Sequence, residues 1–70
     1  MEKFGEKLRI LRQQRGLSLQ QLGDELSVSK TYIWEMENGK KTPNIAMLVK
    51  ICDVFNIPAD KLIRDEFGLD

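Results

Sequence analysis

Two serines, Ser18 and Ser29, each stand directly before a short stretch of helical apolar spacing. Serine at such a place caps a helix, because its hydroxyl accepts from a backbone N–H that the first turn leaves unpaired. Gln21, three residues after Ser18, completes a capping box, so a helix is expected over about Leu19–Leu26. Leu22 and Leu26 form its buried stripe, with Leu19 on the same side. Ser29 opens the next helix, over about Lys30–Glu37, with Ile33 and Met36 inward and Asn38-Gly39 as its stop. The segment Leu17–Asn44 is therefore two short helices joined by a tight turn, then a Gly-Lys-Lys turn and a proline.

The flanking sequence is helical as well. Phe4, Leu8 and Leu11 recur at i, i+4 and i+7 in a first helix that ends near Arg15-Gly16. A fourth helix begins near Asn44 after Pro43. Its apolar face is expected from Ile45, Leu48, Cys52 and Phe55, with Ile51 beside them. Asn56-Ile57-Pro58 breaks it, and a short fifth helix from Ala59 to about Arg64 carries Leu62 and Ile63. No alternation of period two lasts long enough for a strand, so the chain reads as all-α with five helices.

Seventy residues make one domain at most. With a single cysteine and no histidine, neither an internal disulfide nor zinc is available to staple it. A chain this short has little stability to spare and needs efficient helix packing, a partner subunit, or both. Cys52 is expected to pack against the core as an inert thiol. No apolar run approaches the roughly 18 residues of a membrane span, and MEKFGEKLRI has no signal-peptide core. A cytoplasmic protein without membrane contact is expected.

The formal net charge is zero, but it is unevenly spread. Residues 1–50 carry nine basic groups against six acidic ones, a net of +3, and residues 51–70 carry two against five, a net of −3. That split suggests a basic binding face and an acidic far end. A helix bracketed by basic groups, as Lys30–Glu37 is, can put side chains into the major groove of DNA. There is no Gly-rich phosphate loop and no cluster of metal ligands, so no catalytic residue, metal or cofactor is expected, and an enzyme is excluded.

FGEKLRILRQQRGLS, LGDELSVSKTYIWEMENGKKTPN and LVKICDVFNIPADKLI together resemble the XRE/Cro/CI-type helix-turn-helix proteins, from about Phe4 to Ile63. That family includes phage repressors, restriction–modification controllers and many antitoxins. The resemblance implies a five-helix lambda-repressor-like domain with its helix-turn-helix at about 19–37. The second helix would lie across the DNA backbone while the third enters the groove. Arg12 and Glu37 match positions that commonly form a buried ion pair, and a buried unpaired carboxylate would cost several kcal/mol. Two positions depart from the pattern: Leu19 stands where the family has a phosphate-touching Gln, and Ser27 where its turn has Gly. Gly23 matches a small residue that lets the two helices approach.

With Ile33 and Met36 inward, Ser29, Lys30, Thr31, Trp34 and Glu35 remain as candidates for base contacts. Lys30 can donate to guanine, Thr31 can bond a base or touch a thymine methyl, and Glu35 can accept from cytosine. Two roles are open to Trp34: contact with thymine methyls or deoxyribose, or packing against Lys30 or a neighbouring helix. Tyr32 matches a half-buried family position that sometimes reaches a phosphate. Asn38, Lys40, Lys41, Thr42 and Asn44 are the further phosphate candidates, aided by helix N-termini. Lys3, Lys7, Arg9 and Arg15 are expected on the wet face of the first helix.

Two-fold dimers reading half-sites about 34 Å apart gain affinity and specificity. In the family, subunits meet through the last helix and the loop before it. Ile57, Pro58, Leu62, Ile63 and Phe67, with Leu69, supply the apolar area here, so a dimerisation segment is expected at about 57–69. The function expected is that of a homodimeric repressor reading a palindromic operator in double-stranded DNA. The competing reading is a protein-binding module of the same fold, as some antitoxin and adaptor relatives are; Leu19, Trp34 and the zero net charge favour it.

Overall fold

The computed structural model describes residues 1–69. It contains α1 (Phe4–Gln14), α2 (Leu19–Leu26), α3 (Lys30–Glu37), α4 (Ile45–Phe55) and α5 (Ala59–Ile63), with no strand among the described residues. No helix of this set is long and apolar enough to cross a membrane.

Side-chain caps set the helix starts. Ser18 Oγ accepts from the Gln21 N–H at 3.0 Å while Gln21 Oε1 accepts from the Ser18 N–H at 2.8 Å. Ser29 Oγ accepts from the Tyr32 N–H at 3.1 Å, and Asn44 Oδ1 from the Met47 N–H at 2.8 Å. The ends of the first four helices share one device, a residue in the left-handed region: Gly16, Ser27, Gly39 and Asn56, with φ of 67°, 61°, 73° and 51°. The next N–H then closes back on a carbonyl five residues earlier, as in Lys40 N–H to Glu35 O at 2.8 Å and Val28 N–H to Gly23 O at 2.9 Å. Ser27 thus adopts the geometry a glycine would, and the turn between α2 and α3 keeps its shape despite the substitution.

Leu8, Leu22, Leu26, Ile33, Met36, Ile51 and Leu62 are fully buried, and Phe4, Leu11 and Met47 complete the core. Every helix contributes. Gly5 and Gly23 permit the tightest approaches. A Cβ on Gly5 would lie 2.6 Å from the carbonyl oxygens of Met36 and Glu37, so α1 lies directly against the end of α3. A Cβ on Gly23 would lie 2.7 Å from the Val28 carbonyl oxygen.

Two contacts tie the chain ends together. Asp65 accepts from the Lys3 and Glu2 N–H groups at 2.9 and 3.1 Å and so caps the start of α1 from the far end of the sequence. In return, Lys7 Nζ donates to the Lys61 and Arg64 carbonyls at 2.6 and 2.9 Å, closing the end of α5. The expectation that Lys7 is wet is therefore wrong: it is 5% exposed, because its ammonium donates to two carbonyls at the end of α5, of which that of Arg64 also accepts from the Phe67 N–H.

One further expectation is corrected. The spacing predicts Ile45, Leu48, Cys52 and Phe55 on the inner face of α4 with Ile51 beside them; the structure buries Ile51 together with Met47 and packs Leu48, Cys52 and Phe55 half-buried against the core, but leaves Ile45 80% exposed. Cys52 is half-buried and packs against the core, as expected. Burial pushes its thiol pKa up and neighbouring Asp53 adds to the shift, so the group stays a thiol rather than a thiolate.

Candidate nucleic-acid interface

The interface is built on α3, whose back is held by Ile33, Met36 and Glu37. Opposite them, Ser29, Lys30, Thr31 and Trp34 are exposed, while Glu35 and Tyr32 are half-buried. Tyr32 packs its ring against the core. Trp34 is 47% exposed, so its indole is not a core group. The two cation–π contacts among the described residues are Arg15 on Phe55 and Arg64 on Phe67, and neither involves Trp34.

After α3 the chain turns through Asn38–Thr42. Asn38 Nδ2 donates to the Trp34 carbonyl at 2.9 Å, and the Lys40 and Lys41 N–H groups both reach the Glu35 carbonyl, at 2.8 and 3.3 Å. Pro43 is buried, whereas Lys40, Lys41, Thr42 and Asn44 are exposed around it. Asn44 spends its oxygen on the cap and is itself exposed. The turn is thus pinned to the helix end and presents its cations to solvent.

Among the described residues, none of Lys30, Lys40 and Lys41 has a carboxylate within ion-pair distance. Two acids of the neighbouring elements are engaged elsewhere, Glu37 with Arg12 at 2.7 Å and Arg9 at 3.8 Å, and Glu25 with Arg15 at 3.7 Å, while Glu35 on α3 is half-buried. The bonds to Glu37 raise the Arg12 pKa, against a smaller opposing effect of burial. Arg15 also donates to the Val54 carbonyl at 3.0 Å. Arg9 and Arg15 are therefore partly structural, not simply wet.

The residues expected at a subunit interface do not form one surface. Leu62 is 0% exposed and belongs to the core of its own subunit, since α5 has only a short inward face and Leu62 fills it; its assignment to an interface is corrected. Phe67 lies on a different side, beside Arg64 and in a groove with Lys3, Glu6 and Ile10 of the α1 region. Ile57, Pro58 and Ile63 instead line a groove of about 380 Å³ with Ile45, Leu48, Val49 and Cys52 of α4. The α4 residues of that groove were missed as surface groups. Their signal was present, because Lys50 and Asp53 are the only charged residues in α4, and an apolar helix offers a second stripe once the first is buried.

Comparison with known proteins agrees with this geometry. The helix-turn-helix family model matches residues 8–62. The chain is 41% identical over 64 residues to the transcriptional repressor RghR of Bacillus subtilis, covering 90% of this chain and 47% of that protein. It is 40% identical over 63 residues to the transcriptional activator BcrR of Enterococcus faecalis, covering 90% of this chain and 31% of that one. The chain thus spans less than half the length of these two relatives. Among solved structures, the restriction-modification controller protein C.AhdI of Aeromonas hydrophila superposes with a TM-score of 0.79 at 28% identity, over 87% of this chain and 92% of that one. All three are named as regulators, in line with the expectation that the chain is not an enzyme.

Proposed function

The chain belongs to the XRE-type helix-turn-helix family, and we propose that it is a homodimeric repressor that reads a palindromic operator with α3 in the major groove. The observation that carries this is the two-sided character of α3. Three residues anchor it from behind, and the flank opposite offers Ser29, Lys30, Thr31 and Trp34 beside unpaired Lys40 and Lys41. At eight residues and about 1.5 Å per residue, α3 is about 12 Å long, which suits a major groove about 12 Å wide. Lys40, Lys41, Thr42, Asn38 and Asn44 set the register on phosphates, with Tyr32 at their edge. Lys30, Thr31, Trp34, Glu35 and Ser29 face the bases.

The second subunit is proposed to sit on the groove of Ile45, Leu48, Val49, Cys52, Ile57, Pro58 and Ile63, where Ile45 and Val49 are 80% and 54% exposed. An apolar stripe of this kind on so small a domain is a cost in water that a symmetric partner removes. Repression is proposed over activation because it needs only that the bound dimer cover a promoter. Activation needs a polymerase contact in addition.

The test is binding to duplex DNA against salt. A dimer that neutralises about six to eight phosphates gives a log–log slope near −6. A flat response would instead favour the protein-binding reading, for which the exposed Trp34 indole is a suitable anchor.

A further inference from the structure

Trp34 is the one large apolar side chain offered outward by α3, and 47% of its surface is left exposed. An indole left half in water is an unfavourable arrangement unless a ligand removes it from water. Thr31 lies three residues earlier, on the same side of the helix, and is also exposed. Lys30 is four residues before Trp34 and has no carboxylate within ion-pair distance among the described residues. An exposed indole beside an unpaired cation suits a polyanionic groove better than a neutral protein surface. Within the major groove, the apolar group that a base presents is the C5-methyl of thymine. Ile33 and Met36, fully buried, hold the helix from behind, and the Asn38-to-Trp34 bond steadies its last turn.

We propose that Trp34, together with the methyl of Thr31, reads a thymine C5-methyl, so that each operator half-site carries a T·A pair at one fixed place beside the base met by Lys30. This rests on the DNA-binding reading above and names the base class that reading leaves open. Glu35, half-buried on the same helix, adds a negative group nearby that disfavours a phosphate beside Trp34 and keeps the indole over the bases.

The experiment uses duplexes selected by the whole protein from random DNA, then resynthesised with deoxyuridine for thymidine at one position at a time. This removes a methyl and leaves base pairing intact. For the wild type, one thymine per half-site should cost about fourfold in affinity when changed, and about 15-fold when changed in both half-sites; fourfold corresponds to about 0.8 kcal/mol, the figure for one buried carbon, at 1.4 kcal/mol per tenfold. Trp34→Gln should bind more weakly and be indifferent to the same change, while Trp34→Phe should retain part of the sensitivity. Salt-dependent binding with no sensitive thymine, selected half-sites without thymine, or a Trp34→Gln protein as sensitive as the wild type would each overturn the methyl assignment alone. Absence of salt-dependent duplex binding would overturn the DNA reading and this assignment together.

Discussion

Arg12 and Glu37 meet through two charge-assisted hydrogen bonds, Nε to Oε2 at 2.7 Å and Nη2 to Oε1 at 3.1 Å, and so join α1 to the last residue of α3. A third Arg12 nitrogen donates to the Leu17 carbonyl at 3.0 Å, which ties in the loop before α2. Glu37 is buried, so removing its carboxylate leaves a guanidinium without its main partner. Glu37→Ala should lose about 3–5 kcal/mol, comparable with the whole stability of a domain this small. Replacing both residues by Met should cost much less, because no charge is stranded. Urea unfolding of the single and double variants decides this; equal losses in both would mean that packing, not charge, holds the joint.

Ser27 carries the left-handed conformation at φ 61° in the turn between α2 and α3. For a residue with a Cβ this costs about 1–2 kcal/mol, part of which a glycine returns as entropy of the unfolded chain. Ser27→Gly should therefore stabilise the fold by about 0.5–1 kcal/mol and raise Tm by a few degrees. Thermal melting reads it, and a lower Tm would show that the serine is held by something other than the turn.

Most of the fold was legible because its punctuation is local. Ser18, Ser29 and Asn44 cap within three residues of themselves, and Gly16 and Gly39 end helices with their own backbones. The expected bounds of α2 and α3 are those observed. What escaped was set by tertiary contacts. Lys7 finds its carbonyls 54 and 57 positions away, and no local pattern announces that. In α4, apolar groups surround most of the helix, so periodicity alone does not select between the stripe of Met47 and Ile51 and that of Ile45, Val49 and Cys52. The exposed flank of α3 was readable for the opposite reason, since Ile33 and Met36 are its only aliphatic-like anchors and fix what faces away.

The link between chain ends has a pH signature. Asp65 has its carboxyl pKa held below the usual carboxylate range, chiefly by the Lys3 N–H, with the Glu2 N–H and the terminal amine adding to it while desolvation opposes. A pKa lowered by folding stabilises the fold above the unfolded value, near 3.9, and that contribution is lost as pH falls through the lower folded value. Asp65→Asn should therefore be less stable than the wild type at pH 7, and the gap should close as the pH is taken below about 4. Urea midpoints at pH 7, 5 and 3 measure it. A gap that persists unchanged at pH 3 would place the effect in packing rather than in the carboxylate.

Lys30 and Lys41 are both exposed, yet they should fail differently. Lys30→Ala should cost about 1–3 kcal/mol on the selected operator and relax preference at one base position. Lys41→Ala should weaken all duplexes alike and lower the magnitude of the salt slope by about one for each subunit. Competition between the selected duplex and random-sequence DNA separates the two. Identical behaviour of both variants would remove the division between base and phosphate roles.

Val49 and Leu62 test the placement of the second subunit. Val49 is 54% exposed on the outer stripe of α4, and Leu62 is fully buried on the inner face of α5. Val49→Glu puts a charge into an apolar groove that is open in one subunit, so the monomer should fold with nearly unchanged Tm while sedimentation equilibrium shows the dimer lost. Operator affinity should fall with it, because each half-site is then held by one domain. Leu62→Ala should instead destabilise the fold by about 2–5 kcal/mol through the cavity it leaves. A Val49→Glu protein that stays dimeric would move the interface elsewhere, with the groove of Phe67 and Ile10 beside α1 as the next surface to probe.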